Sequence, residues 1–175
     1  MPNRKPYKES CQFLKDQQLL EGDELPELPE RAPRHDDEQL GVSFFRTRLA
    51  DARIEDLTLP RTFFGRSQIQ EVSFRRTDLS ESTACWNDFV DVAFDEADLS
   101  ASDLRASTFQ RVSFRGAVLR GADLRRSSFS ACTFADADLT GAKLSGRLRW
   151  FFRLSSSQRR GVHWQSSPGP EPEGG

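Results

Sequence analysis

A large apolar residue recurs at every fifth position from Phe44 to Leu144, with Ala84 as the one exception among 21 positions. A repeat of this length constrains the architecture strongly, because each unit must build the same local structure and pack against its neighbours. The large residues (the centres) are Phe44, Leu49, Ile54, Leu59, Phe64, Ile69, Phe74, Leu79, Phe89, Phe94, Leu99, Leu104, Phe109, Phe114, Leu119, Leu124, Phe129, Phe134, Leu139 and Leu144.

A second series of mostly small residues stands two positions before the centres. A helix advances about 100° per residue, so a five-residue step turns successive centres roughly 140° apart and forms no stripe. A continuous strand also fails, because its side chains alternate with period two. Each unit is therefore predicted to hold a three-residue extended piece, with its first and third side chains inward, and a two-residue corner. The small residues are Ala52, Ser67, Thr77, Ser82, Ala97, Ser102, Ser107, Ala117, Ala122, Ser127, Cys132, Ala137 and Ala142.

Turn-forming residues occupy the predicted corners. If four sides close one coil, a coil takes four units and stacks on the next at about 4.8 Å. The 21 units then form about five coils and a rod roughly 25 Å long, with Phe and Leu filling its interior. The corner residues are Pro60 and Gly65, one position after a centre, and Gly116, Gly121, Gly141 and Gly146, two positions after.

The units share a short motif that identifies a family. Ala97-Asp98-Leu99 is one clear copy, and Ala122-Asp123-Leu124 and Ala137-Asp138-Leu139 repeat it. Looser copies end at Phe74 and Phe114. The pattern resembles the pentapeptide-repeat family, whose unit is A(D/N)LXX, over about three fifths of the chain. The resemblance implies an all-β fold, a right-handed quadrilateral β-helix, and it implies no enzyme activity.

The N-terminal end of such a coil needs a cap, because it would otherwise expose strand edges and apolar side chains. Residues 1–40 are predicted to form this cap before a solenoid at 41–146. Within the cap, a helix is predicted from Tyr7 to Glu21, with Phe13, Leu14 and Leu20 toward the coil. A proline-containing, extended connector follows.

The C-terminal cap is predicted at residues 147–165. Ser155 and Gln158 have the spacing of a capping box for a short helix that ends near Gly161. Residues 166–175, rich in proline, glycine and glutamate, are predicted to be a disordered tail. The apolar residues expected to cover the last coil are Trp150, Phe151, Phe152, Leu154, Val162 and Trp164.

Composition narrows the class of protein. A chain of 175 residues is expected to form one domain. Its N-terminal segment, 1–40, holds no uninterrupted apolar stretch, which predicts neither a signal peptide nor a membrane span. Cys11, Cys85 and Cys132 are odd in number and widely spaced, unlike a disulfide framework or a zinc site. We expect a cytoplasmic protein with reduced thiols and with Cys132 in the core.

Residues that could carry chemistry are sparse. His35 begins a charged run, His35-Asp36-Asp37-Glu38, which favours a solvated entry to the first coil over a metal site, because adjacent loop side chains seldom converge. His163 is expected to be a packed or surface residue of the C-terminal cap. The sequence contains no glycine-rich phosphate loop, nucleophile elbow or Cys–His pairing. We therefore expect no enzyme activity, no catalytic or metal-binding residue and no cofactor.

Charge can be counted by side, because every fourth unit shares a side of a four-sided coil. The side through Phe44 and Leu144 (the basic face) carries six basic residues against Asp103 and Asp123, a net charge of +4. The other three sides carry −2, −1 and −2. The basic residues are Arg46, Arg66, Arg105, Arg125, Arg126 and Lys143.

The basic face also carries Phe45, Phe63 and Trp86 at positions expected to point outward. Aromatic and arginine side chains together are typical of binding hot spots. Two alternatives stay open: Phe45 and Phe63 pack under the N-terminal segment, and Cys85 or Trp86 turns inward to fill the space beside Ala84. The candidate interaction residues are Phe45, Arg46, Phe63, Arg66, Trp86, Arg105, Arg125 and Arg126.

Two functions are compatible with these features. The first is a non-enzymatic scaffold that binds an unidentified protein through one solenoid face. The second follows from the family resemblance, because quinolone-resistance members mimic DNA and act on DNA gyrase. Mimicry of a phosphate backbone needs strongly negative faces, whereas the acidic sides here carry at most −2 each, so gyrase is not the favoured partner. Direct nucleic-acid binding is disfavoured by a pI near 5.8.

Overall fold

The computed structural model describes residues 3–35, 38, 40–149 and 152–166. The predicted tail beyond Ser166, together with Asp36, Asp37, Trp150 and Phe151, lies outside this range. The elements are α1 (Tyr7–Asp16), β1 (Ser43–Phe45), β2 (Arg48–Ala50), β3 (Phe63–Gly65), β4 (Gln68–Gln70), β5 (Asp88–Val90), β6 (Thr108–Gln110), β7 (Ser128–Ser130), β8 (Lys143–Ser145), a 3₁₀ turn (Gly146–Leu148), α2 (Ser156–Gly161) and β9 (His163–Gln165).

The repeat winds into a four-sided solenoid in which four units make one coil. Every strand pair is parallel and joins residue i to residue i+20, as in the pairing of Leu49 with Ile69. One side forms a five-stranded sheet in the order β2-β4-β5-β6-β7. Two further sides are held by isolated bridges of the same offset, such as Arg53 with Ser73 and Thr58 with Asp78. The predicted coil length is confirmed.

The solenoid is one coil longer than predicted. The side that begins at Phe44 continues beyond Leu144 to Trp164, because β9 pairs with β8 in the same register as the other strands. Phe44 and Trp164 are thus six coils apart, or roughly 29 Å at the usual strand spacing. The sequence prediction of about five coils stopped at the last recognisable repeat, whereas the C-terminal segment completes a sixth coil without the repeat pattern.

The centres form the core. None of them is more than 6% exposed, and Ala84 is 4% exposed. Phenylalanines one coil apart stack nearly face to face: the rings of Phe89 and Phe109 lie 5.0 Å apart with 2° between their planes. A second column runs through Phe94, Phe114 and Phe134. Burial of these rings is the main source of stability expected for the fold.

The small inward residues do more than fill space. Ser67 Oγ donates to the Phe44 carbonyl at 2.7 Å and accepts from the Thr47 amide at 3.1 Å, so it joins two coils. Thr77 makes equivalent bonds to Ile54 and Leu57. These hydroxyls satisfy buried backbone groups where the chain turns and the strand ladder is interrupted.

Asn87 belongs to this inward series although it is larger and was not predicted as a member. It is 1% exposed. Its Nδ2 donates to the carbonyls of Phe64 and Cys85 at 2.7 and 3.1 Å, and its Oδ1 accepts from the Ser67 amide at 2.7 Å. The inward series therefore tolerates a larger side chain where that side chain supplies the same bonds between coils.

Two predicted members of the inward series are less buried than expected. Ala52 and Cys132 are only partly buried and pack against the core from its edge. The expectation that Cys132 lies in the core is therefore wrong.

The corner residues adopt the left-handed backbone conformation. At all 20 corners from Arg46 to Gly141, the second residue after the centre has φ between 49° and 71°. Only Gly116, Gly121 and Gly141 are glycines there, so 17 corners hold a residue that normally avoids this conformation. Gly65 is not such a corner, because it lies in β3 without a positive φ. A Cβ on Gly65 would lie 2.5 Å from the Phe63 ring, so packing requires the glycine.

The structure settles the arrangement around Ala84. Trp86 is 67% exposed and points outward, and Cys85 is partly buried. The centre of this unit is therefore an alanine between Phe64 and Leu104, with no side chain of the same unit turned in to replace a larger residue.

Ala84→Leu is expected to leave the free energy of unfolding unchanged or to raise it, by up to about 2 kcal/mol. The backbone ladder already holds this position at the coil spacing, as the 2.7 Å bond from the Ala84 amide to the Asp103 carbonyl shows. Denaturant unfolding measures the change, and Leu104→Ala, the reverse substitution one coil along, should cost about 2–5 kcal/mol. A loss of more than about 1 kcal/mol in Ala84→Leu would mean that neighbouring side chains already fill the space.

The N-terminal segment caps the first coil. Helix α1 buries Cys11 and Leu14 completely, and the Lys5 amide donates to the Asp56 carbonyl at 2.8 Å. Ser10 Oγ accepts from the Thr58 amide at 2.9 Å. The helix ends at Asp16, before the predicted boundary at Glu21, because Gln18 adopts φ 59° and stops it.

The connector after α1 runs along the edge of the basic face. The carbonyl of Pro29 accepts from Arg61 Nη1 at 2.8 Å, and that of Pro33 accepts from Thr83 Oγ1 at 2.7 Å. Both prolines are buried. Phe63 is 3% exposed and lies outside the core cluster, so it is covered rather than available on the surface, in line with the alternative that it packs under the N-terminal segment.

The C-terminal segment closes the other end. Ser155 and Gln158 form the predicted capping box, and α2 ends at Gly161 as expected. Gln158 Nε2 donates to the carbonyls of Phe134 and Ala137, both at 2.9 Å. Phe152 packs edge-on against Phe129 and Phe134. Among the described residues, no helix is both long and apolar enough to cross a membrane.

Candidate functional site

The basic face presents two outward rows whose successive members are one coil apart. The row one position after the centres contains Cys85, Arg105, Arg125 and Ser145. The row two positions after the centres contains Trp86, Ala106 and Arg126, all in the left-handed corner conformation. Neighbouring residues in a row therefore lie about 4.8 Å from each other at their backbones.

A groove of about 510 Å³ opens where Ala106 stands between Trp86 and Arg126. The small Ala106 side chain leaves a gap in its row, and the two large neighbours form the walls. The floor comes from the adjacent row. The lining residues are Cys85, Trp86, Arg105, Ala106, Arg125, Arg126, Ser145, Gln165 and Ser166.

Two of the groove arginines are held in place by carboxylates. Arg105 Nε and Nη2 donate to Asp103 at 2.8 and 2.7 Å, and Arg125 makes the same fork to Asp123 at 2.8 and 2.6 Å. Arg125 Nη1 also donates to Gln165 Oε1 at 2.8 Å. In each fork the aspartate precedes its arginine by two positions, so the unit itself builds the pair.

The ion pairs shift the pKa values of Arg105, Arg125 and Asp123 toward their charged forms. The hydrogen bond with Asp103 raises the pKa of Arg105, and that with Asp123 raises the pKa of Arg125. Burial by itself would raise the pKa of Asp123, but the hydrogen bonds from Arg125 outweigh it and lower that pKa. The groove therefore keeps its pattern of fixed charges across the neutral pH range.

The structure divides the eight predicted interaction residues into two groups. The first group lines the groove and consists of Trp86, Arg105, Arg125 and Arg126. The second group lies in the first two coils and consists of Phe45, Arg46, Phe63 and Arg66.

The second group does not contribute to the groove. Phe45 is partly buried with its ring 6.1 Å from that of Phe63, and the Arg46 guanidinium lies over the Phe45 ring at 5.0 Å. Arg66 is exposed but does not line the groove. The predicted interaction surface is therefore shorter than the basic face itself.

Sequence reasoning missed the residues that shape the groove. Cys85 and Ala106 lie in rows that the five-residue register defines, so a search for the smallest outward residue would have found the gap. Gln165 and Ser166 could not be found in this way, because the C-terminal segment lacks the repeat. Only the pairing of β9 with β8 places them beside the groove.

Other chemistry-bearing residues do not assemble. His35 and His163 are exposed. Within the described part of the chain, no group of three or more His, Cys, Asp or Glu side chains is placed to hold a metal ion. Asp36 and Asp37, in the acidic run after His35, lie outside that part.

Comparison with known proteins identifies the repeat. Residues 107–146 match the family model for pentapeptide repeats, in eight copies. Coils of the same register continue through the structure on both sides of this stretch. The chain therefore contains a run of pentapeptide repeats within its solenoid. No curated protein sequence is significantly similar to this chain.

Solved structures share its fold. HetL, a pentapeptide-repeat protein involved in heterocyst differentiation regulation in the cyanobacterium Nostoc sp. strain PCC 7120, is 19% identical with a TM-score of 0.55. The alignment covers 57% of this chain and 48% of HetL, so this chain spans about half of HetL's length. This likeness supports the right-handed quadrilateral β-helix.

Two further structures are more distant. Rfr23, a pentapeptide-repeat protein from the cyanobacterium Cyanothece 51142, is 13% identical with a TM-score of 0.44, over 71% of this chain and 88% of Rfr23. A trypsin-treated point variant of QnrB1, a plasmid-mediated fluoroquinolone resistance protein, is 20% identical with a TM-score of 0.34, over 76% of this chain and 67% of the variant.

Proposed function

We propose that this chain is a non-enzymatic pentapeptide-repeat scaffold that binds another protein through its basic face. The observation that carries the proposal is the groove, in which Trp86 and the guanidiniums of Arg105, Arg125 and Arg126 come together on an otherwise regular rod. Tryptophan and arginine are among the residues most enriched at binding hot spots. A rigid solenoid presents them without a folding cost on binding.

The use of the charged residues supports a non-enzymatic role. Acid–base catalysis needs a carboxylate with an adjusted pKa that faces a substrate. Here many aspartates recur directly before a centre, and others stand at corners and are bound to arginine, as Asp91 is to Arg111 at 2.6 Å. The hydrogen bonds from Arg111 lower the pKa of Asp91, which is the opposite of what a general acid requires.

The alternative, a DNA-mimic modulator of DNA gyrase, has less support. Mimicry needs unneutralised carboxylates along a face. On the sides away from the basic face, Asp56 is paired with Arg76 at 2.7 Å and Asp138 with Arg120. Such pairs bring the local charge toward zero on the sides that would have to imitate a phosphate backbone.

Replacing Arg105, Arg125 and Arg126 together with glutamine is expected to abolish capture of the partner from an extract of the source organism. The physical reason is the loss of all three groove guanidiniums, each a strong donor to a partner carboxylate. Quantitative mass spectrometry of the captured proteins, with the wild-type chain as reference, measures the effect.

The matched control replaces Arg111 and Arg120 with glutamine, since they make ion pairs of the same kind on other sides. Thermal unfolding of both variants checks that each is folded. Retention of every captured protein by the triple variant, or equal loss in the control, would refute the proposed role of the basic face.

A further inference from the structure

We propose that the groove between Trp86 and Arg126 binds an extended acidic segment of a partner protein. This inference rests on the proposed function, since it names the chemistry of the partner at the same face. The walls are one aromatic and one cationic side chain, and the floor is cationic. A peptide with glutamate or aspartate next to an apolar residue complements each of these surfaces.

Arg105 and Arg125, which form the floor of the groove, can still donate hydrogen bonds to a partner. Arg105 uses Nε and Nη2 to bind Asp103, and its Nη1 has no hydrogen-bond partner among the described residues. Arg125 uses its Nη1 on the neutral Gln165 amide. An incoming carboxylate can accept from the Arg105 edge and displace Gln165 from Arg125, because a charged acceptor binds a guanidinium more strongly than an amide does. The aspartates hold both arginines in position, which lowers the entropy lost on binding.

Trp86 supplies the apolar contact. It is the one aromatic residue with positive φ in the part of the chain that the structure describes, and it is 67% exposed. A bulky side chain in the left-handed region is uncommon and costs on the order of 1–2 kcal/mol. An exposed indole held there stands clear of the rod, beside the Ala106 gap, and can pack against an apolar side chain of the bound segment.

The size and charge of the groove favour a peptide over a nucleic acid. From Trp86 to Ser166 the lining spans four coils, roughly 19 Å, which matches about six residues of extended chain. Three arginines face the two aspartates of the ion pairs, which leaves a small net positive charge. That charge suits one or two carboxylates, whereas Asp103 and Asp123 would repel a continuous phosphate backbone.

The test fills the gap without changing charge. Ala106→Gln extends a neutral side chain into the groove, and Ala131→Gln places the same side chain at an equivalent left-handed corner on another side. Fluorescence anisotropy follows a fluorescein-labelled peptide GELEFEG added to the full chain. We expect Ala106→Gln and Trp86→Ala to weaken binding about tenfold or more, and Ala131→Gln to leave it unchanged.

The peptide controls test the chemistry. The neutral peptide GQLQFQG is expected to bind about fivefold more weakly or worse, and the difference should shrink from about 50 mM to about 500 mM salt. Absence of binding by the wild-type chain, equal weakening in Ala131→Gln, or competition by a short single-stranded DNA as effective as the peptide would overturn the proposal.

Three further results distinguish an external peptide from the chain's own tail, and this inference from the proposed function. If the peptide binds only after Glu171 and Glu173 are changed to glutamine, the groove belongs to the chain's own acidic tail, and the proposal of an external segment fails. If the arginine triple variant loses its captured partner while the peptide does not bind, the proposed function stands and this inference fails. If the peptide binds in the groove but the triple variant loses no partner, the proposed function fails.

Discussion

Phe114→Ala is expected to lower the free energy of unfolding by about 3–5 kcal/mol. Phe114 is fully buried, with its ring stacked between Phe94 at 5.4 Å and Phe134 at 4.8 Å. Removing it leaves a space inside a column whose coils are held at a fixed spacing by the backbone ladder. The neighbours therefore cannot collapse into the space, and the stacking contacts on both faces are lost.

Denaturant unfolding followed by circular dichroism measures this loss. Phe114→Leu is the matched variant, because leucine serves as a centre elsewhere, as at Leu119, and we expect it to cost roughly half as much or less. Trp86→Ala, on the surface, should change the stability by less than about 0.5 kcal/mol. A Phe114→Ala protein within about 1 kcal/mol of wild type would show that the aromatic columns contribute little.

Asn87→Leu is expected to destabilise the fold by about 2–4 kcal/mol although it makes the interior more apolar. The substitution removes three side-chain hydrogen bonds, two to the carbonyls of Phe64 and Cys85 and one from the amide of Ser67. The Phe64 carbonyl and the Ser67 amide are then buried without these side-chain partners, and an unmet buried donor or acceptor costs more than a typical hydrogen bond contributes.

Asn87→Ser separates hydrogen bonding from packing. Serine occupies the same inward position one coil before and one coil after, at Ser67 and Ser107, and its Oγ there bonds the backbone of the preceding coil. We expect Asn87→Ser to cost less than about 1.5 kcal/mol in the same unfolding measurement. Equal stability losses in the leucine and serine variants would mean that the volume of Asn87, and not its amide, is what the site requires.

The fold followed from the sequence wherever a feature depends on a single unit. The centres, the corners between them and the box formed by Ser155 and Gln158 are set by residues within five positions of one another, so the repeat and the cap motif predict them. Asn87 escaped notice because its role depends on Phe64 and Ser67 in the coil before it. Inspection of a single unit cannot show such a bond.

Contacts between distant segments could not be predicted. The burial of Phe63 accompanies a connector held to the rod by Pro33 and Thr83, which are far apart in the chain. The sixth coil forms because β9 pairs with β8 in the register of the other strands. The sequence around β9 does not contain the repeat, so this pairing could not be predicted. For the candidate site, the sequence correctly placed Trp86 and the arginines on the basic face. It could not predict the groove, because the groove is also shaped by Ala106 and by the C-terminal residues.

The Gln158 side chain gives the stack of coils a defined end. Within the rod, the Ala117 carbonyl accepts the Asp138 amide of the next coil, so a coil left open would offer the same acceptor to a second molecule. Gln158 Nε2 occupies that acceptor at Ala137, together with the Phe134 carbonyl. Phe152 lies across the ends of both aromatic columns. These two side chains therefore protect the molecule against end-to-end polymerisation into a filament.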